Sequence, residues 1–129
     1  MRKTALKNVP GGKRLALACA REAAEKKAEN ILVLDMRAIS SIADYFVICS
    51  GASTRHVRAI AESIVDETGA DGARCWHSEG WADGYWIVLD FTDVIVHVFH
   101  DDARRYYHIE RLWGDAKTVT SQKPKAEGK

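Results

Sequence analysis

Residues 45–65 change periodicity once and abruptly, and that change restricts the folds open to this chain more than any other feature. Tyr45 to Cys49 is a continuous apolar run rich in aromatic and β-branched residues, the pattern of a buried strand. Ser50-Gly51-Ala52-Ser53-Thr54 breaks the run, and Ser53 or Thr54 can accept the unpaired N–H groups of a helix start. Val57, Ile60, Ala61, Ile64 and Val65 then fall at i, i+3, i+4, i+7 and i+8, the stripe of an amphipathic helix that Gly69 is placed to end. A buried strand followed at once by such a helix needs a sheet for the helix to cover.

The flanking segments supply that sheet. Arg14 to Glu29 is alanine-rich, with Leu15, Ala18, Cys19 and Ala23 at helical spacing and Glu22, Glu25, Lys26 and Lys27 on the wet side. Ile31 to Met36 reads as a short buried strand. Ala73 to Ser78 and Tyr85 to Phe91 are two more strands, separated by a loop containing Gly80, Asp83 and Gly84. Trp86–Asp90 and Val94–Phe99, joined through Phe91, Thr92 and Asp93, read as a β-hairpin. Asp101 and Asp102 suit the start of a last helix, with Tyr106, Ile109 and Trp113 as its stripe and Gly114 beyond its end.

The order α-β-β-α-β-β-β-α predicts an α/β fold: a mixed five-stranded sheet with helices packed on it. Hairpin-linked strands are antiparallel, whereas a β-α-β crossover favours a parallel pair. Residues 1–13, with Lys3, Lys7, Pro10, Gly11 and Gly12, read as a loose leader, and 14–116 as the folded domain. Residues 117–129, with Lys117, Lys123, Pro124, Lys125, Gly128 and Lys129, read as a disordered basic tail.

A chain of 129 residues has the length of one domain. Its formal charge of +1 argues against a protein built to coat itself with nucleic-acid phosphates. Cys19, Cys49 and Cys75 have no CxxC spacing and read as reduced thiols of a cytoplasmic protein, the first two as small core residues. Met1 to Lys13 lacks the apolar core of a signal peptide, and no apolar run approaches the roughly 20 residues of a membrane helix.

Three groups of residues could carry chemistry. His97 and His100 would point in opposite directions from a strand, and no Cys or His cluster completes a zinc site; His97 reads as a sheet-face histidine bonded to a local polar group. Asp44, Asp90 and Asp93 could hold magnesium or serve as general acid and base, but aspartates at strand ends also cap turn N–H groups. Gly51-Ala52-Ser53 could cradle a phosphate at a helix start, yet it lacks the lysine and second glycine of a Walker loop, and no Asp-x-Asp follows on a strand. Trp76, Trp81, Tyr85 and Trp86 cluster around Glu79 and Gly80. Trp86 lies within a strand and reads as core. Trp81 follows Gly80 in a loop and reads as an exposed anchor whose acidic neighbours, Glu79 and Asp83, suit a basic protein partner.

Several of these segments, in this order, resemble the ribosomal silencing factor family, also called the Iojap family. The carriers are Ala43-Asp44-Tyr45-Phe46-Val47-Ile48, Ser50-Gly51-Ala52-Ser53-Thr54-Arg55-His56-Val57 and Ala59-Ile60-Ala61. Farther on they are Glu79-Gly80, Trp86-Ile87-Val88-Leu89-Asp90, Asp93-Val94-Ile95-Val96-His97-Val98-Phe99, Ala103-Arg104-Arg105-Tyr106-Tyr107 and Leu112-Trp113. The match runs from about Leu15 to Ala116. Thr92 departs from it, standing in the hairpin turn where glycine is usual, as do Ala38 and the pair Trp76-His77.

The resemblance implies a fold similar to nucleotidyltransferases without their catalytic acids, no enzymatic activity and no cofactor. It implies a translation repressor that binds the large ribosomal subunit through its universal protein fourteen and blocks association with the small subunit. A large-subunit assembly factor using the same site, and a nucleotide-binding enzyme using Asp44, Asp90 and Asp93, are the alternatives. Exposure logic and local matching put the partner surface on Glu79, Gly80, Trp81, Asp90, Asp93, His97 and Tyr106, with Asp44 as a further candidate. A homodimer through an open sheet edge or an apolar patch, and contact of the basic tail with ribosomal RNA, are further expectations.

Overall fold

The computed structural model describes residues 11–107, 114 and 116–122. Helix α1 spans Gly12–Glu25, strand β1 Glu29–Asp35, β2 Tyr45–Gly51 and helix α2 Thr54–Ala70. Strands β3 (His77–Glu79), β4 (Trp86–Asp90) and β5 (Val94–His100) follow, then helix α3 (Asp101–Tyr107) and strand β6 (Lys117–Gln122). The strands form one six-stranded sheet in the order β3-β4-β5-β2-β1-β6. The pair β2–β5 is parallel, with Tyr45 opposite Val94 and Gly51 opposite His100. The pairs β1–β2, β1–β6, β3–β4 and β4–β5 are antiparallel.

The sheet therefore has six strands rather than the expected five, and the additional one corrects the reading of the tail. Lys117–Gln122 pairs along the outer edge of β1, with Asp35 opposite Lys117 and Ile31 opposite Gln122. Thr118, Val119 and Thr120 are β-branched, and Val119 packs against the core. Leader and domain also meet earlier than expected, since α1 begins at Gly12. The expected stripe positions Ile109 and Trp113 lie outside the described residues.

Alternation along the strands divides the core in two. On one face, Val33, Tyr45, Val47, Cys49, Ile87, Leu89, Val94, Val96 and Val98 pack beneath α1 and α2, which add Leu15, Cys19, Ala23, Val57, Ile60 and Ile64. On the other, Leu34, Phe46, Ile48, Ile95 and Phe99 meet Met36, Ala43 and Ala103 of α3. Helix α2 packs on β4, β5 and β2, α1 on β1, β2 and β5, and α3 on β5 and β2. No described helix is long and apolar enough to cross a membrane.

The helix ends follow from local chemistry. Ser53 Oγ accepts from the His56 amide at 3.0 Å and caps α2, as its position before the apolar stripe suggests. At the other end Gly72, not Gly69, takes the left-handed conformation (φ 96°). Ala73 N then donates to Thr68 O and Gly72 N to Gly69 O, the two bonds of a Schellman motif. Helix α1 stops four residues before the expected Glu29 because Lys27 (φ 64°) closes the same motif, with Ala28 N donating to Ala23 O and Lys27 N to Ala24 O. No sequence rule marks a lysine for that position. Strand β3 is shorter than the expected Ala73–Ser78: only His77–Glu79 pairs with β4, while Ala73 and Cys75 pack toward the core.

Thr92 occupies the hairpin turn with φ 83°. A β-branched side chain there is strained by roughly 1–3 kcal/mol. The turn is held by Phe91 N to Val94 O at 2.8 Å and by the Thr92 amide donating to Asp90 Oδ1 at 2.8 Å. Thr92→Gly is therefore expected to raise stability by about 1 kcal/mol after allowing for the freer unfolded chain. Urea unfolding of the two proteins checks this, and an unchanged or lower midpoint would refute it.

Candidate functional site

Register and alternation decide which of the candidate residues can act together. Trp86, Val88 and Asp90 of β4 point to the α3 face of the sheet, as do Ile95, His97 and Phe99 of β5. Glu79 lies opposite Val88, and His77 opposite Asp90, so both share that face. Glu79 is exposed and takes a 2.7 Å bond from the His77 imidazole. The face thus brings Glu79, Asp90 and His97 together beside Trp86 and Val88, both only half-buried. Tyr106 of α3 is 76% exposed.

His97 sits deeper than a contact residue, only 7% exposed. Its ring lies 4.8 Å from Phe46 and 6.1 Å from Phe99, centroid to centroid. Trp86 Nε1 donates to His97 Nδ1 at 3.2 Å, so the neutral ring carries its own proton on Nε2. Here the local polar partner expected for a sheet-face histidine is an indole. Burial pushes the imidazole down to about 4. An unfolded histidine titrates near 6.5, so below that pH the unfolded chain takes up a proton that the folded chain refuses. Stability contributed by neutral His97 is complete above pH 6.5 and lost as pH falls toward 4. The loss between pH 7 and pH 5 is expected to be about 2 kcal/mol. Urea unfolding against pH checks it: His97→Gln should flatten that part of the profile, and an unaltered slope would refute the assignment.

Asp44 and Asp93 lie at the hairpin-turn end of the sheet, where Asp93 O accepts from the Asp44 and Tyr45 amides at 2.8 and 3.1 Å. Both are exposed. Asp90 uses Oδ1 to cap the Thr92 amide, the structural role open to a strand-end aspartate. Among the described residues no group of three or more His, Cys, Asp or Glu side chains could hold a metal ion. The nearby Asp35 is held down to about 2 by a two-pronged hydrogen bond from Arg37, at 2.9 and 2.8 Å. At the opposite end, the amides of the Gly51-Ala52-Ser53 junction serve the chain itself. Ala52 N donates to His56 Nδ1 at 3.1 Å, His56 N donates to Ser53 Oγ, and His56 Nε2 donates to Lys26 O at 2.7 Å. Burial pushes the Cys49 thiol up to about 12 and the Cys19 thiol higher still, which removes both as nucleophiles.

The loop between β3 and β4 differs most from its sequence reading. Trp81 is not the exposed anchor that its place after Gly80 suggests. It is half-buried against the helix-side core, and its Nε1 donates to Ser78 Oγ at 2.7 Å. Of the four aromatics clustered around Glu79 and Gly80, the exposed ones are instead Trp76 (64%), which stacks under the Arg74 guanidinium at 4.6 Å, and Tyr85 (48%), which stacks on His100 at 4.8 Å. Gly80 has φ 92° and Gly84 φ 71°. Arg58 of α2 donates from Nε to Trp81 O at 2.8 Å and from its terminal nitrogen to Ala82 O at 2.7 Å. Nothing in the helical periodicity singles Arg58 out from the other polar residues of α2.

Comparison with known proteins agrees with this architecture. The model of the family described as ribosomal silencing factor during starvation matches residues 10–129, past the Ala116 limit of the resemblance read from the sequence. A relative from Bacillus subtilis named ribosomal silencing factor is 50% identical over 92 residues, covering 71% of this chain and 78% of its own. A mouse protein named for mitochondrial assembly of the ribosomal large subunit is 30% identical over 94 residues, covering 69% of this chain and 40% of its own. A crystal structure from Chromobacterium violaceum superposes with a TM-score of 0.79 at 30% identity, covering 81% of this chain and 88% of that one. The chain belongs to the ribosomal silencing factor family.

Proposed function

We propose that this protein represses translation by binding the large ribosomal subunit, through its universal protein fourteen, and blocking association with the small subunit. The observation that carries this reading is the family match over residues 10–129, with 50% identity to a protein named for ribosomal silencing. The surface supports it. Helices α1 and α2 cover one face of the sheet, whereas α3 packs on the other chiefly at β5 and β2, with Arg104 reaching Asn30 of β1. The β3–β4 part of that second face offers Glu79, Asp90 and the half-buried Trp86 and Val88 to a partner. Gly80 shapes the adjoining turn, His97 supports the surface from beneath, and Asp93 and Asp44 lie at the hairpin-turn end of the sheet; Trp81, packed on the helix-side core, and Tyr106, exposed on α3, complete the candidate set. Acidic groups around an aromatic patch favour a basic ribosomal protein. Steric blocking needs no turnover and no cofactor.

The test is co-sedimentation with separated ribosomal subunits, followed by a subunit-joining assay. The wild type is expected to pellet with large subunits alone and to block joining. Glu79→Arg, a change at an exposed position, should weaken binding about tenfold with an unchanged melting temperature. A wild type that stays in the supernatant with every subunit would sink the proposal. A second reading, an assembly factor using the same surface, is favoured by the mouse relative, which is named for assembly of the mitochondrial ribosomal large subunit. It predicts that a deletion strain accumulates immature large subunits, whereas silencing alone leaves them complete.

A further inference from the structure

The loop Gly80–Gly84 is fastened from three directions. Trp81 is tied beneath it to Ser78 Oγ, Gly84 N donates to Gly80 O at 3.0 Å, and Arg58 reaches across from α2 to two successive carbonyls, of Trp81 and Ala82. The guanidinium is a planar fork with fixed donor directions, so bonding both carbonyls fixes the orientation of the peptide between them. Its fit is close: a Cβ on Gly84 would stand 3.1 Å from Arg58 Cζ and 2.9 Å from Thr54 Cβ. With these two carbonyls turned toward α2, Ala82 and Asp83 remain exposed. Asp83 makes no ion pair among the described residues. A five-residue loop without such ties would have to be ordered on binding, at a cost of roughly 0.5–1.5 kcal/mol for each side chain immobilised.

We propose that Arg58 is a positioning residue of the docking surface: it holds residues 80–84 in the conformation that presents the Asp83 carboxylate to a basic protein partner. Asp83 thereby becomes a contact residue. This inference rests on the ribosome-binding reading above. Arg58 acts through the loop, its own charge being taken up by main-chain oxygens.

The experiment uses the full chain as wild type, Arg58→Gln, Arg58→Lys, Asp83→Asn and the double variant Arg58→Gln/Asp83→Asn. Amide hydrogen exchange of the loop, affinity for purified large subunits and melting temperature are measured for each. Arg58→Gln is expected to speed exchange at the Gly84 amide by about tenfold or more. It should weaken large-subunit binding by about tenfold, while exchange in β2 and β5 stays unchanged. Arg58→Lys, which keeps the charge but not the fork, should weaken binding nearly as much. Asp83→Asn should weaken binding clearly in the wild-type background and hardly at all once Arg58 is replaced, a coupling that general destabilisation would not produce. Unchanged loop exchange and affinity in Arg58→Gln, full activity in Arg58→Lys, or additive effects in the double variant would each overturn the inference while leaving the ribosome-binding reading intact. If Arg58→Gln fails to fold, the Lys variant and the single Asp83→Asn variant decide it. A wild type that does not bind large subunits overturns both.

Discussion

Alanine in place of Gly80 is expected to cost about 4 kcal/mol of stability. Two penalties combine. Gly80 has φ 92°, a conformation that costs a side-chain-bearing residue roughly 1–3 kcal/mol. The new Cβ would also fall 2.0 Å from Trp86 O and 3.1 Å from Ile87 Cα, both main-chain atoms of β4. A flexible side chain could swing away, but backbone held in register against β5 cannot, and forced repacking adds roughly 1–3 kcal/mol. Urea unfolding measures the total. A loss below about 1 kcal/mol would mean that β4 and the loop shift freely, which would also undermine the rigidity assigned to residues 80–84.

Arg104→Ala is expected to cost about 3 kcal/mol and to lower the melting temperature by on the order of 10 °C. Arg104 is almost fully buried on α3 and donates to Asn30 O at 2.6 Å and to Ser50 Oγ at 2.8 Å. These bonds join α3 to the end of β2 and to the start of β1, where Asn30 itself is left-handed (φ 50°) within an irregularity of the β1–β2 register. Truncation strands the buried Ser50 hydroxyl and empties the space of the arginine stem, so a polar penalty and a packing penalty add. The cost should fall mainly on the attachment of α3. Ser50→Ala alone should cost about 1 kcal/mol, and the double variant less than the sum of the two. Thermal and urea unfolding of the three variants check this, and simple additivity would show that the two residues do not share one interaction.

Most elements were legible because local physics wrote them. The stripe from Val57 to Val65 has one face to bury whatever lies opposite, and Ser53 caps the helix through its own neighbouring amides. Tyr45–Cys49 and Val94–Phe99 are apolar enough to be interior strands in any arrangement, and they became the parallel pair at the centre of the sheet. Cys19 and Cys49 are core residues for the same reason, and the resemblance carried by these blocks led to the family that the chain belongs to.

What stayed hidden depends on partners distant in sequence. Lys117–Gln122 is polar and lysine-led, and it becomes a strand only because β1 offers an unpaired edge and the core has room for Val119. Lys27 takes a left-handed position that glycine would fill more easily, because the chain must turn there for Glu29 to meet Ser50. Trp81 looks exposed by its place in a glycine loop, yet Arg58, 23 residues away, draws the loop down so that the indole turns inward. His97 is expected on the partner surface and nothing local marks Arg104 for burial, yet the fold buries both behind bonds to Trp86 and to Ser50 and Asn30. By itself the sequence determined where helices and central strands lie, since apolar periodicity and caps act within a few residues. Only the tertiary structure decided the sheet edges, the loop conformation and which polar side chains go inside, since these depend on hydrogen bonds between segments that meet only when the chain has folded.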